Sequence, residues 1–309
     1  MSHLPDLAPI VVFCYNRPWH LQQTIEALRQ NPLAKQSQLI VYSDGPRREE
    51  DQVPVREVRA YLATVQGFKG TKIVLSENNR GLATSVIEGV SEVLEQYDRV
   101  IVLEDDMVCT TDFLDYMNRA LRTYYHRPDI FSVTGYTPPI QLPPHYPHDL
   151  YLAPRASSWG WGTWRDRWQQ ADWQVGDFEK LVKDKSLRQR LTRGGEDLWP
   201  MLVKQQRGVI DSWAVRWTWS QARRQAYGLY PRHSKIRNIG TDGSGTNFTF
   251  STSAYGEVLA EGEVRHTADL QPDPSVIEAF QRYYRLPWKV KLKNLLKYGL
   301  SIFFLYNLI

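Results

Sequence analysis

Residues 99–107 read Arg99-Val-Ile-Val-Leu-Glu-Asp-Asp-Met107. Four apolar residues, Val100 to Leu103, run directly into three carboxylates, Glu104, Asp105 and Asp106. A short apolar run rich in β-branched residues suits a strand buried on both faces of a mostly parallel sheet. Adjacent carboxylates repel one another and are costly to desolvate, so packing does not account for three of them at a strand end. A divalent cation would. Hard oxygen ligands suit Mg2+ or Mn2+, which commonly take one or two carboxylates and fill their other positions with substrate phosphates. The carboxyl end of a parallel strand is also where open α/β sheets bind ligands. The other reading is a solvated acidic turn capping a helix expected over Thr111 to His126.

Upstream, strands are expected over Ala8 to Tyr15, Gln38 to Ser43 and Thr71 to Ser76. Amphipathic helices follow over Trp19 to Gln30, Val55 to Val65 and Ala83 to Tyr97. Each strand ends in polar or turn-forming residues: Asn16-Arg17-Pro18, Asp44-Gly45-Pro46 and Asn78-Asn79-Arg80-Gly81. Strand–helix alternation at this spacing predicts βαβ units and a parallel sheet with right-handed crossovers. In such a sheet Arg17, Asp44, Asn79 with Arg80, and Glu104 to Asp106 converge on one edge. Carboxylates there serve a metal or hydroxyl groups, and Arg17 or Arg80 serves phosphate. This half contains no GxxxxGK[ST] loop and no GxGxxG fingerprint, which argues against a P-loop or a dinucleotide site.

Composition bounds the rest. The chain has 309 residues, 42% apolar and 23% charged, as in an ordinary globular protein of one large domain or two smaller ones. Its net charge of +4 fits an anionic ligand or membrane surface and does not call for nucleic acid. Two cysteines, Cys14 and Cys109, cannot build a disulfide framework, and Cys14 falls in an expected buried strand. With no charged-then-apolar leader at the start, a reducing, cytoplasmic setting is expected. The 11 Trp residues concentrate in the second half, where they suit either sugar stacking or a bulky core.

The order strand–Asn-Arg-Pro, strand–Asp-Gly, Asn-Arg-Gly-Leu and Leu-Glu-Asp-Asp resembles nucleotide-sugar glycosyltransferases of the GT-A fold. Within them it is most similar to the branch of N-acetylglucosaminyltransferase I and its bacterial relatives. The resemblance extends to Ser158-Trp159-Gly160-Trp161-Gly162, to Ile210-Asp211-Ser212-Trp213 and to residues 236–247, and so covers roughly residues 8–250. It implies an α/β, GT-A type (Rossmann-like) sheet flanked by helices, and an inverting transfer from a nucleoside diphosphate sugar, UDP being the expected base. Mn2+ or Mg2+ would be held through Asp106. Asp44 would read the base, with Arg17, Asn79 and Arg80 near the nucleotide. Glu104 and Asp105 would meet ribose or sugar hydroxyls, and Gly243 and Ser244 would close over the diphosphate. Trp159, Gly160, Trp161 and Trp213 would place the acceptor, a glycan or a lipid- or protein-linked hydroxyl. Asp211 would be the general base.

Other features are read from the residues. An Asp flanked by Ile210 and Trp213 is expected to be buried, with a raised pKa, and could also cap a helix starting at Trp213. The competing base is the Glu196-Asp197 pair after Gly194-Gly195. His145 and His148 lie in a proline-rich segment and read as solvated, and His233 and His266 read as structural. Asn247 stands where the bacterial relatives often carry His. Residues 1–130 form the expected donor half and 131–270 the acceptor and base half of one domain. Residues 271–309 form a basic then apolar tail: Trp288 with Lys289, Lys291, Lys293 and Lys297, then an apolar run from Gly299. That tail suits a peripheral anchor on the inner membrane face, a helix packed on the domain, or a dimer contact. Two rival functions remain. A sugar-nucleotide-forming nucleotidyltransferase would carry a Gly-rich loop after the first strand. A carbohydrate-binding protein would not need the acidic triplet.

Overall fold

The computed structural model describes residues 7–243 and 259–298. Its first half alternates as expected: β1 (Ile10–Cys14), α1 (Pro18–Arg29), β2 (Gln38–Ser43), α2 (Gln52–Leu62), β3 (Gly70–Leu75), α3 (Leu82–Gln96) and β4 (Arg99–Glu104). The four strands lie in the order β3-β2-β1-β4, all parallel. Val100 to Leu103 are essentially inaccessible because helices cover both faces of β4. Ile101 and Leu103 face the core of α1 and of α4 (Phe113–Thr123). Val100 and Val102 face that of α3. Cys14 and Cys109 are free and buried, as a structural thiol should be. Burial pushes the Cys109 thiol up to about 12.

The second half extends this sheet with mixed pairing. It contributes β6 (Ile130–Thr134), β7 (Leu150–Ala153), β8 (Trp161–Trp164) and β9 (Tyr227–Pro231), in the order β4-β8-β6-β9-β7. β8 runs against both β4 and β6. The Trp-rich stretch is therefore strand over Trp161–Trp164, and only Arg165–Trp168 (α5) is helical. The charged stretch that follows forms two helices, α6 (Phe178–Lys183) and α7 (Lys185–Thr192), broken at Asp184. The Asp184 carboxylate caps α7 by accepting from the Ser186 and Leu187 amides. α8 (Leu198–Gln206) and α9 (Trp213–Arg223) precede β9. Beyond it, β10 (Ile236–Asn238) leaves the main sheet and pairs antiparallel with β5 (Met107–Cys109), directly after the acidic triplet.

Most of the tryptophans make core. Trp161 stacks on Trp213 at 4.9 Å and on Trp168 at 5.6 Å, and Trp168 contacts Trp217 at 5.1 Å. This cluster fixes α9 against β8 and α3. The fold continues past residue 271. Asp273 caps α10 (Pro274–Tyr283), whose Val276 and Phe280 pack with Tyr151 of β7 and Tyr230 of β9. The last described helix, α11 (Trp288–Tyr298), lies against α8.

Candidate functional site

All four polar strand ends meet at the carboxyl edge of β3-β2-β1-β4. The Arg17 guanidinium reaches both Asp105 and Asp106, the latter at 2.8 Å. Burial works against its charge, but the two carboxylates outweigh that and hold it firmly protonated. One guanidinium does not balance three acids. Burial, then Asp106 and Asp105, push the Glu104 carboxyl up to about 8. Burial likewise raises Asp105 to about 6 against the pull of Arg17, with Asp106 adding to the rise. Asp106 keeps one oxygen, Oδ1, buried with no hydrogen-bond partner among the described residues.

Among the described residues no group of three or more His, Cys, Asp or Glu side chains is arranged to hold a metal ion. An ion with few protein ligands and the rest from phosphate and water, the habit of Mg2+, does not require one. The orphaned Asp106 Oδ1 and the excess of negative charge fit such an ion.

Three further groups shape this edge. The Thr24 hydroxyl donates to the Asp105 carbonyl at 2.7 Å and accepts from the Met107 amide at 3.0 Å, fixing the acidic turn from α1. The pairing of β10 with β5 brings the following turn over the acids, and the Ile239 amide donates to the Asp106 carbonyl at 2.8 Å. At Gly240 the approach is so close that a Cβ would collide with Asp106 Oδ2. His20 Nε2 lies 3.1 Å from Asp242 Oδ2, tying that turn to α1. Gly243 ends the turn with φ +93°, and Ser244, like Asn247, lies outside the described residues.

Asp44 acts on the chain itself. Its Oδ1 accepts from the Gly45 and Arg80 amides, both at 2.9 Å, and Oδ2 from Arg80 at 3.1 Å and Gly81 at 3.0 Å. Asn79 Nδ2 donates to the Gly45 carbonyl at 2.9 Å, and Arg80 pairs with Glu88. Asp44 and Asn79 thus hold the β2 and β3 ends together as one wall of the edge.

In the second half the placements differ more from expectation. Trp161 and Trp213 are 1% and 3% exposed, so these rings build the floor beneath the edge rather than an open wall. Trp159 is half-buried against Tyr136. Gly160 has φ +53°, and its carbonyl accepts from the Gly135 amide at 2.6 Å. Asp211 is not buried: its side chain is 63% exposed and pairs with Arg216 at 2.9 Å. Nor does it cap α9, since Ser212 accepts from the Val215 amide and takes that role. The rival acids are committed to structure. Asp197 makes two 2.8 Å bonds to Arg155, and Glu196 accepts from the Leu286 amide and pairs with Lys291. His266 packs between Tyr116 and Tyr124.

Sequence reasoning passed over His20, Thr24, Gly240 and Asp242. Only Gly240 and Asp242 left a trace, as members of the segment 236–247 that carries part of the resemblance. His20 and Thr24 sit on an ordinary amphipathic helix, and only the fold shows where they point.

A family model, glycosyl transferase family 2, matches residues 10–178. Among solved structures the chain is similar to the mannosyltransferase PcManGT from Pyrobaculum calidifontis, in complex with GDP-Man and Mn2+. That match has 13% identity and a TM-score of 0.33, over 53% of this chain and 49% of that one. It is also similar to S. aureus TarS, with 13% identity and a TM-score of 0.31, over 49% of this chain and 25% of that one. The chain thus matches about half the length of the first and a quarter of the second. No curated protein matches it.

Proposed function

The chain belongs to glycosyl transferase family 2, and from that premise we propose a metal-dependent transfer of a sugar from a nucleoside diphosphate donor, a UDP-sugar, to an acceptor hydroxyl with inversion. The observation that carries this reading is the buried Asp106 Oδ1 at the carboxyl end of β4, without a hydrogen-bond partner among the described residues, within an acidic triplet that Arg17 counters.

Asp106 would hold Mn2+ or Mg2+, and the bound ion would supply Lewis-acid stabilisation of the diphosphate leaving group. Asp44 and Asn79 shape the nucleotide side of the edge through the turn they hold. Arg17 and Arg80 offer guanidinium groups for phosphate. Glu104 and Asp105 would accept from ribose or sugar hydroxyls. The turn at Gly240 to Gly243, its Gly240 amide held by Asn238 Oδ1 at 2.7 Å, would lie beside the diphosphate. Asp211 is the base that takes the acceptor proton as the hydroxyl attacks the anomeric carbon from the face opposite the leaving group. Arg216 holds one of its oxygens, leaving the other to accept. Exposure suits that role, because the acceptor arrives from solvent. A glycan or a lipid- or protein-linked sugar fits an open approach of this kind, as in surface-polysaccharide synthesis.

Calorimetric titration with UDP, GDP, CMP and dTDP, with and without Mn2+, tests the reading on wild type and Asp106→Asn. Metal-dependent binding of one nucleotide, lost in the variant, is expected. Failure of every nucleotide to bind the folded protein with metal present overturns it and favours a carbohydrate-binding protein.

A further inference from the structure

Helix α11 carries three separate stripes. At 100° per residue, Trp288, Leu292 and Leu296 align along one side, and Lys289, Lys293 and Lys297 align immediately beside them. Lys291, Asn294 and Leu295 fall on a third side. That third side is the docked one: Asn294 is buried, Lys291 pairs with Glu196 at 2.8 Å, and the helix lies against α8. Docking fixes the rotation of the helix and turns the other two stripes outward. Trp288 is 59% exposed, Leu292 45% and Leu296 77%, and the three lysines beside them are exposed. The apolar stripe is about 12 Å long at 1.5 Å per residue.

An outward row of Trp and Leu is unusual for a surface that faces only water. Its surroundings select the occupant. From residue 279 to residue 309 the sequence contains Arg282, Arg285, Lys289, Lys291, Lys293 and Lys297 and no Asp or Glu. The chain then continues as Gly-Leu-Ser-Ile-Phe-Phe-Leu-Tyr-Asn-Leu-Ile, eleven uncharged residues. No helix among the described residues is long and apolar enough to cross a membrane. A Trp/Leu stripe beside a lysine stripe, leading into more apolar chain, has the chemistry of an interfacial helix: apolar side chains enter the acyl boundary while the ammonium groups meet anionic headgroups.

We propose that the outward face of α11, formed by Trp288, Leu292 and Leu296 with Lys289, Lys293 and Lys297, docks the protein on an anionic lipid surface. The apolar stripe supplies burial and the lysines supply preference for negative headgroups. The domain is carried on the opposite side of the helix, through Lys291 and Asn294.

Co-sedimentation of the full chain with phosphatidylcholine vesicles, with and without phosphatidylserine, tests this. The proteins are wild type, Trp288→Ala/Leu292→Ser/Leu296→Ser, Lys289→Glu/Lys293→Glu/Lys297→Glu and the single Leu296→Ser. These side chains are exposed, so unfolding midpoints should match wild type, and the single variant provides the reading if a triple variant is unstable. Wild type is expected to bind the anionic vesicles and to be released by salt. Reversing three charges should weaken binding on the order of a hundredfold. The apolar triple variant should lose at least tenfold and Leu296→Ser several-fold. Absence of wild-type binding, equal binding to neutral vesicles, or wild-type binding by the folded variants overturns the proposal. So does a wild-type dimer that becomes monomeric in the apolar variant while vesicles are ignored, since the stripe would then belong to a second copy of the chain.

Discussion

Asp44→Asn separates building the site from touching a ligand. A carboxylate offers about four acceptor positions, and Asp44 uses them all on the Gly45, Arg80 and Gly81 amides. Asparagine keeps one oxygen. In its better orientation that oxygen replaces Oδ1 and retains the Gly45 and Arg80 bonds, while an NH2 group points at the Gly81 amide. One charge-assisted bond is lost, a second is weakened, and a donor is left facing a donor. A bond to a charged group contributes roughly 1.5–3 kcal/mol and an orphaned donor costs roughly 1–3, so a loss of about 2–3 kcal/mol is expected. Asp44→Ala, with all three amides unpaired, should cost about 4 kcal/mol. The local packing gives the turn no room to compensate, because a Cβ at Gly45 would already meet the backbone of Glu77 and Asn78. Urea unfolding measures the loss, and amide hydrogen exchange at Arg80 and Gly81 locates it. Both amides should exchange faster in Asp44→Asn, and nucleotide affinity should fall with them. A stability change under about 0.5 kcal/mol with unchanged protection would refute the assignment of Asp44 to the turn.

Three other outcomes are expected. Asp211→Asn should lower single-turnover transfer at least about a hundredfold while nucleotide affinity stays within about twofold, whereas Asp197→Asn should lower stability by breaking its pairing with Arg155. Gly160→Ala should cost about 2–3 kcal/mol, combining the positive φ with a collision against Ile236 Cδ1. Adding Ile236→Val, which removes that atom, should return part of the loss in a double-mutant cycle. Burial, and then Arg119, lower His266 from 6.5 to about 4, so below pH 6.5 the unfolded chain takes up a proton that the folded chain refuses. The His266 contribution to stability should therefore fall as pH drops from 6.5 to about 4 and level off below, while Glu104 and Asp105, raised in the folded protein, contribute the opposite slope. His266→Phe, which keeps the packing against Tyr116 and Tyr124, should gain stability relative to wild type as pH falls through this window.

The first half of the fold was legible because its information is local. A strand buried on both faces must be apolar throughout, and in a parallel sheet its chemistry must sit just past the carboxyl end, so Val100 to Asp106 announce both facts in seven residues. The missing parts depend on pairings that no window contains. Met107–Cys109 and Ile236–Asn238 are three-residue strands far apart in the chain, each too short to show a period, yet their pairing sets Gly240 against Asp106. The tryptophans left two readings open for a different reason: composition counts aromatic rings without saying which way they face, and here Trp161, Trp168, Trp173, Trp213 and Trp217 face each other.

Asp211 joins these two cases. Its neighbours Ile210 and Trp213 suggested burial, and Trp213 is indeed buried, stacked on Trp161 of the strand beside β4. The sequence could not show that the chain turns between the two residues, because the turn depends on Ser212 capping α9. With the cap on Ser212, Asp211 is released from helix duty and stands exposed, while Trp213 anchors the end of α9 to the carboxyl edge through β8. A base that must meet an incoming hydroxyl needs both conditions. Its backbone must be fixed to the core that carries the donor, and its carboxylate must remain reachable from solvent. Removing the cap with Ser212→Ala should therefore cost about 1 kcal/mol of stability and loosen Asp211, lowering turnover more than nucleotide binding. Unchanged turnover in the folded Ser212→Ala protein would show that the start of α9 does not position the base.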